Sequence, residues 1–166
     1  MNNFLKPAFL VLSLVFSLSA SSQGRKLLEG VDFGMPMDKA TAAIQRIYGA
    51  PEQKGESTIS YTKKSFRGMT FDQIEFGFKE GRLVDARFVC DCKTRVESSS
   101  KMDAIAAMMK KSYEISKDKE DQGPWFYVGG ISPRGIGHLF TIFMYRRQGI
   151  HCAELRYGPF NPAHLE

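Results

Sequence analysis

The chain is poor in the residues from which catalytic and metal sites are usually built. It has three histidines (His138, His151 and His164) and three cysteines (Cys90, Cys92 and Cys152), and no Gly-x-Ser-x-Gly, His-Glu-x-x-His or Cys-x-x-Cys signature occurs. The best thiol or zinc arrangement sets Cys152 beside His151, but adjacent residues on a strand point to opposite faces and diverge. Cys90 and Cys92 with one histidine fall short of the four ligands of a structural zinc site. No catalytic residue, metal ligand or cofactor is assigned on these grounds. An odd number of cysteines leaves at least one thiol unpaired within a monomer. Alternation puts Cys90 and Cys92 on the face of Phe88, and Cys152 opposite to Ala153 and Leu155, so no disulfide is assigned either.

Long apolar runs are also missing beyond the first 22 residues, so no membrane-spanning segment is expected in the mature chain. The start itself reads as a secretory signal peptide over residues 1–22. Lys6 supplies the positive charge, Ala8 to Leu18 form an apolar run shorter than the roughly 20 residues a span requires, and Ala20 and Ser22 are small. Cleavage after Ser22 is expected, with a secreted or periplasmic product, and no cysteine stands there to take a lipid. The mature chain then carries 22 basic against 18 acidic side chains. Its basic doublets, Lys63-Lys64, Lys110-Lys111 and Arg146-Arg147, are scattered rather than gathered on one element, which argues against a nucleic-acid partner and for solvated faces.

What is present is periodicity. Residues 23–32 read as a polar, flexible leader. Pro36 opens a helix carrying Ala40, Ile44, Ile47 and Tyr48, and Gly49 and Pro51 stop it. Gln53 to Glu56 reads as a loop, Thr58 to Thr62 as a short strand and Lys63 to Gly68 as a turn. Ile74, Phe76 and Phe78 alternate with Glu75, Gly77 and Lys79. A turn at Glu80-Gly81 returns the chain through Val84, Ala86 and Phe88 as a hairpin. Ser100 caps a second helix with Met102, Ile105, Ala106, Met109 and Tyr113 on one face, a stripe typical of core. Lys117 to Gly123 reads as loop and Trp125 to Val128 as strand. The glycine-rich stretch Gly129–Gly137 lacks a Gly-Lys-Ser/Thr ending and leads into a strand, so it reads as a flexible hairpin loop rather than a phosphate cradle. His138 to Tyr145 and Ile150 to Tyr157 form a last hairpin, and residues 161–166 an irregular tail.

The element order, helix then three strands, occurs twice. Met37 to Tyr48 aligns without gaps on Met102 to Tyr113, and Phe76 and Phe78 are matched with Phe143 and Tyr145. The expected fold is α+β: one domain over residues 33–160, built from tandem helix-strand-strand-strand halves (33–96 and 97–160). Both helices pack on one face of a mostly antiparallel sheet, because a single half of about 65 residues makes only a marginal core.

Phe33-Gly34-Met35, the helix ending Tyr48-Gly49-Ala50-Pro51, the strand holding Tyr61, and Phe76-Gly77-Phe78-Lys79-Glu80-Gly81-Arg82-Leu83 together resemble a known layout. It is similar to the β-lactamase-inhibitor-protein-like superfamily and to the small lipoprotein of the outer-membrane barrel-assembly machinery. The chain departs from that pattern in having Pro36 after Gly-Met, no lipidation cysteine and no Gly-x-Pro in the second half. The resemblance implies a non-catalytic, protein-binding scaffold, without implying inhibition of a β-lactamase.

Two functions from different classes follow. The first is an exported interaction module acting through its sheet surface, with a protein as partner and a small molecule as the second class of ligand. Its candidate binding residues are Trp125, Tyr127, His138, Phe140, Ile142 and Met144, because the last hairpin is apolar on the side opposite Phe143 and Tyr145. That side is either an exposed surface or buried between the halves. The second is a small exported hydrolase using carboxylates that converge in a cleft.

Overall fold

The computed structural model describes residues 25–119, 121 and 123–165. The expected signal peptide, the first two residues of the leader and the last residue of the tail lie outside them. The chain is α+β. Its elements are β1 (Lys26–Leu28), β2 (Val31–Asp32), α1 (Met37–Tyr48), β3 (Gln53–Lys54), β4 (Thr58–Phe66), β5 (Met69–Lys79), β6 (Arg82–Cys92), α2 (Arg95–Lys110), β7 (Ile115–Lys119), β8 (Trp125–Gly129), β9 (Phe140–Arg147), β10 (Ile150–Tyr157) and a closing 3₁₀ turn (Pro162–His164). β1 and β2 pair with each other. The other eight strands form one antiparallel sheet in the order β3-β4-β5-β6-β10-β9-β8-β7.

Turn chemistry builds this sheet. Arg67-Gly68, Glu80-Gly81 and Gln148-Gly149 join β4 to β5, β5 to β6 and β9 to β10, and all six residues have positive φ. Two-residue loops with both residues in that region match the right-handed twist of the strands they join, and glycine is the residue that enters it at least cost. The outcome is three tight hairpins and long central strands. β4 therefore runs on to Phe66, where a turn from Lys63 was expected. Phe66 stacks on Phe88 at 4.2 Å between ring centroids.

Both helices lie on one face. α1 follows Pro36, has Asp38 in its first turn and Arg46 in its last, and sinks Ala40 and Ile44; these charges complement the helix dipole. α2 starts five residues before the expected Ser100 cap. The Thr94 hydroxyl accepts the Glu97 N–H at 3.1 Å, and the Glu97 carboxylate reaches back to the Lys93 N–H at 2.8 Å, a local variant of the reciprocal capping arrangement. Met102, Ile105, Ala106 and Met109 of α2 are buried. Together with Ala40 and Ile44 of α1, they cover a sheet face holding Ile59, Tyr61, Ile74, Phe76, Phe88, Leu155, Tyr157, Phe140 and Ile142, all in one core cluster. Tyr157 ties β10 to both neighbouring strands, with its ring 6.1 Å from Phe88 of β6 and 5.5 Å from Phe140 of β9.

The leader is not a loose tail from Arg25 onward. Leu27, Leu28 and Val31 are buried, the Gly34 N–H donates to Leu83 O at 2.9 Å, and the Leu83 N–H returns to Met35 O at 3.0 Å. Arg25 Nη1 donates to Leu165 O at 2.8 Å, tying the two ends of the described chain together. Similarly, Lys117 to Lys119, expected as loop, extend edge strand β7, which pairs in register with β8.

All three cysteines are free and buried. Burial is the main cause that pushes Cys90 up to about 12 and raises Cys92 and Cys152 as well. The thiolate is the reactive form, so native protein at pH 8 is expected to leave all three thiols unmodified by a disulfide reagent over minutes and to titrate three after unfolding. Modification of the native state would contradict this packing. Ile142 is fully buried. Ile142→Ala is therefore expected to lower stability by about 3 kcal/mol in urea melts.

Candidate functional site

The strand register decides which side chains meet. Ile142 lies opposite Leu155 and Ile74 opposite Phe88, so Ile142 belongs with the helix-covered core and Phe143 and Tyr145 point the other way. Matching Phe143 and Tyr145 to Phe76 and Phe78 placed β9 one residue out of step, and with a side-chain period of two this exchanges the faces. Phe140 and Ile142 are 1% and 0% exposed; as core side chains they have no surface to offer a ligand.

Of the other four expected binding residues, Trp125, Tyr127 and Met144 lie on the helix-covered side of β8 and β9, and His138 lies in the loop before β9. Trp125 is 49% exposed at the rim of the helix-covered face, with Lys117 and Lys119 Nζ at 5.4 and 5.6 Å from its ring. Tyr127 stands next to it and donates its hydroxyl to Asp103 of α2 at 2.7 Å. Met144 is half-buried in a recess with Arg95, Ser98 and His151. His138 precedes β9, exposed in the loop that follows Gly129.

No helix among the described residues packs on the opposite face. There, the centre is a charged network seated on the β6–β10 seam. Glu154 is completely buried. It accepts two hydrogen bonds from Arg87, at 2.9 and 3.0 Å, and a third from Arg156 Nε at 2.7 Å. Arg87 also reaches Glu75 at 3.4 Å. Burial alone would raise the Glu154 carboxyl, but the hydrogen bonds and charges of Arg87 and Arg156 outweigh it and hold the group below its ordinary range. Arg87 is raised further above its ordinary value, chiefly by the Glu154 hydrogen bond.

An aromatic pair flanks the network. Phe143 and Tyr145 are half-buried, with centroids 5.7 Å apart, and the Arg156 guanidinium lies 5.1 Å over the Phe143 ring. Tyr145 is pushed up to about 12 by burial and by the neighbouring Glu154. Further along the seam, Arg147 donates to Gln73 at 2.8 Å and pairs with Asp91 at 3.2 Å. At the other end Asp85 lies over Gly77, where any Cβ would run into its carboxylate. Asp85 is raised by burial first and by Glu75 second, against the lowering effect of Arg87 and Arg156.

This arrangement is suited to holding shape rather than moving protons. Three N–H groups occupy the Glu154 carboxylate, and Arg87 is committed to two acids. His151 and Cys152 diverge: Cys152 is buried on the helix-free side with Sγ 3.5 Å from Asp91 Oδ1, while His151 lies opposite Cys92 on the helix-covered side. Among the described residues no cluster of three or more His, Cys, Asp or Glu side chains is arranged to hold a metal ion, and no helix is long and apolar enough to cross a membrane. The site was hidden because β9 is apolar on both faces; the signal that could have found it is Arg87, Glu154 and Arg156 alternating on two strands that meet.

Two substitutions on this face should respond to pH with opposite sign. Glu154 is lowered in the fold, so its stabilisation is present above its ordinary value of 4.5 and is lost as pH falls through the lower folded value. Glu154→Gln should cost about 2–4 kcal/mol at pH 7, with the deficit relative to wild type shrinking in acid. Asp85 is raised, so its favourable contribution is complete below 3.8 and is lost as pH rises through the folded value. Asp85→Asn should therefore stabilise at pH 7, with the gain fading below pH 4. Denaturant melts from pH 3 to 8 measure both slopes, and parallel slopes would contradict the assignment.

Neither a scan against protein-family models nor searches of curated proteins and of solved structures find a match to this chain.

Proposed function

We propose that the chain is an exported, non-catalytic protein-binding module that acts through the helix-free face of its sheet. The observation that carries this reading is the rigid aromatic–arginine patch formed by Phe143, Tyr145, Arg87 and Arg156 around the buried Glu154. Aromatic and arginine side chains are enriched where protein interfaces gain most of their energy. Side chains already held by packing and hydrogen bonds lose little freedom when a partner arrives. A face with half-buried rings and fixed guanidinium groups meets both conditions.

The tandem organisation supports the same reading. Each half supplies a helix and then four strands, where three were expected, and the strand order is symmetric about β6 and β10. Duplication of one unit accounts for this, with Ile74–Phe88 and Ile142–Leu155 as equivalent pairs. The resemblance to the β-lactamase-inhibitor-protein-like superfamily points to a binding scaffold of the same kind, and the signal-like residues 1–22 to a partner outside the cytoplasm. An exported hydrolase is the second reading. It draws on Asp85, whose carboxyl is raised by burial first and by neighbouring Glu75 second, the kind of shift a general acid requires.

Mature protein immobilised and exposed to its own cell-envelope and culture-medium proteins should retain a discrete partner. Phe143→Asp should weaken that retention about tenfold or more, the size of a hot-spot loss. Ala104→Arg, on the exposed side of α2, should leave it intact. Equal loss from both variants, or glycoside or ester hydrolysis abolished by Asp85→Asn without any retained protein, would favour the alternative.

A further inference from the structure

We infer that the glycine-rich loop between β8 and β9 forms the wall of a second site, separate from the helix-free face, for a small amphipathic anion: an apolar body bearing a single carboxylate or sulfonate. The loop is folded rather than open. The Ser132 N–H donates to Gly137 O at 3.1 Å, the Ser132 hydroxyl to Ile136 O at 2.6 Å, and the Leu139 N–H to Gly129 O at 3.0 Å at its base. Between this loop and the turn from α2 into β7 lies a cleft of about 710 Å³. Its size is that of small-molecule sites, which run from about 300 to 1,000 Å³.

Two features specify the occupant. The apolar part of the wall comes from Tyr113, Val128, Ile131 and Leu139. Tyr113 is anchored edge-on against Phe140 at 5.2 Å and accepts a hydrogen bond from Arg67, whereas Ile131 is 65% exposed and is ready to be covered. The charged part is Arg134, which makes no hydrogen bond or ion pair with a described residue; the imidazole of His138 adds a polar group to the wall. Both also line a second cleft of about 300 Å³ on the other side of the loop, which contains His164 and no acidic side chain among the described residues. Among the described residues, the one acid lining the larger cleft is Glu114. A guanidinium with no ion pair among the described residues, beside an apolar wall, favours an anionic head on an apolar body, because a charge-assisted hydrogen bond to it adds to burial of the body.

This site does not rest on the protein-binding reading, and either can fail without the other. The probe is 8-anilinonaphthalene-1-sulfonate, which combines an aromatic body with one sulfonate, titrated into the full mature chain at pH 7. Saturable one-to-one binding is expected, weakened about tenfold by Arg134→Gln and also by Ile131→Ser, and unchanged by Phe143→Asp. Unaltered thermal melts of the variants keep exposure of the core from mimicking the signal. Monomeric decanoate should displace the probe and decylamine should not. Absence of saturable binding, an Arg134→Gln variant that binds as wild type, or displacement by decylamine would each overturn the proposal. So would Arg134-dependent sedimentation with phosphatidylglycerol vesicles in the absence of any decanoate competition, which would make the anion a membrane surface.

Discussion

The junction of β6 and β10 rests on an electrostatic conflict and its resolution. Arg87 and Arg156 lie directly opposite each other across the seam, a placement that repels when nothing intervenes. Glu154 removes the conflict by accepting three hydrogen bonds from the two guanidinium groups. Its carboxylate is fully buried, and burying it would be costly without those partners. A one-residue slip of β10 along β6 would turn Glu154 and Arg156 to the other face of the sheet, away from Arg87. The ion cluster thus favours one alignment of β10 on β6, and the apolar contacts on the other face, such as Phe88 against Tyr157, favour the same parity.

That alignment fixes the faces of all eight strands, since each strand takes its parity from its neighbour. Ile74, Phe88, Leu155 and Ile142 fall in one row under the helices, and the row beside it carries Gln73, Val89, Glu154 and Phe143. The consequence reaches the edge of the sheet. Trp125 and Tyr127 sit on the helix-covered side only because Tyr127 pairs with Ile142, and Tyr127 can then bond Asp103 of α2.

Much of this was legible from residues 33 to 92. Pro36, Gly49 and Pro51 delimit α1, and the alternation on either side of Glu80-Gly81 defines the β5–β6 hairpin, because one face there is polar and the period is unambiguous. β9 offers no such contrast. Thr141, Phe143 and Tyr145 are about as compatible with burial as Phe140, Ile142 and Met144, and only pairing with Leu155 decides between them. Local pattern also failed where order comes from distant partners. Leu27, Leu28 and Val31 lie in a basic, polar stretch too short for periodicity, and their burial depends on the rest of the core and on the tie from Arg25 to Leu165. β7 reads as a charged loop for a related reason: lysines on an edge strand discourage pairing with another chain, and their spacing says nothing of the strand beneath.

The same edge chemistry bears on how a partner could be engaged. Addition of a strand to the sheet is disfavoured at both ends: β3 has two residues, and β7 carries Lys117, Asp118 and Lys119. A partner is left with the faces, and the helices already occupy one. On the other, the side chains that would meet it are restrained by the same hydrogen bonds that hold the seam in register. Arg156 cannot swing away from Phe143 without releasing Glu154, and Arg87 cannot turn outward without leaving Glu75 as well. Fold stability and the shape of the face are therefore coupled, so substitutions that loosen the seam should blur the surface before the core melts. The partly exposed rings of Phe143 and Tyr145 bear less of that structural load, and so they are the positions at which the proposed binding could be altered while the fold is kept.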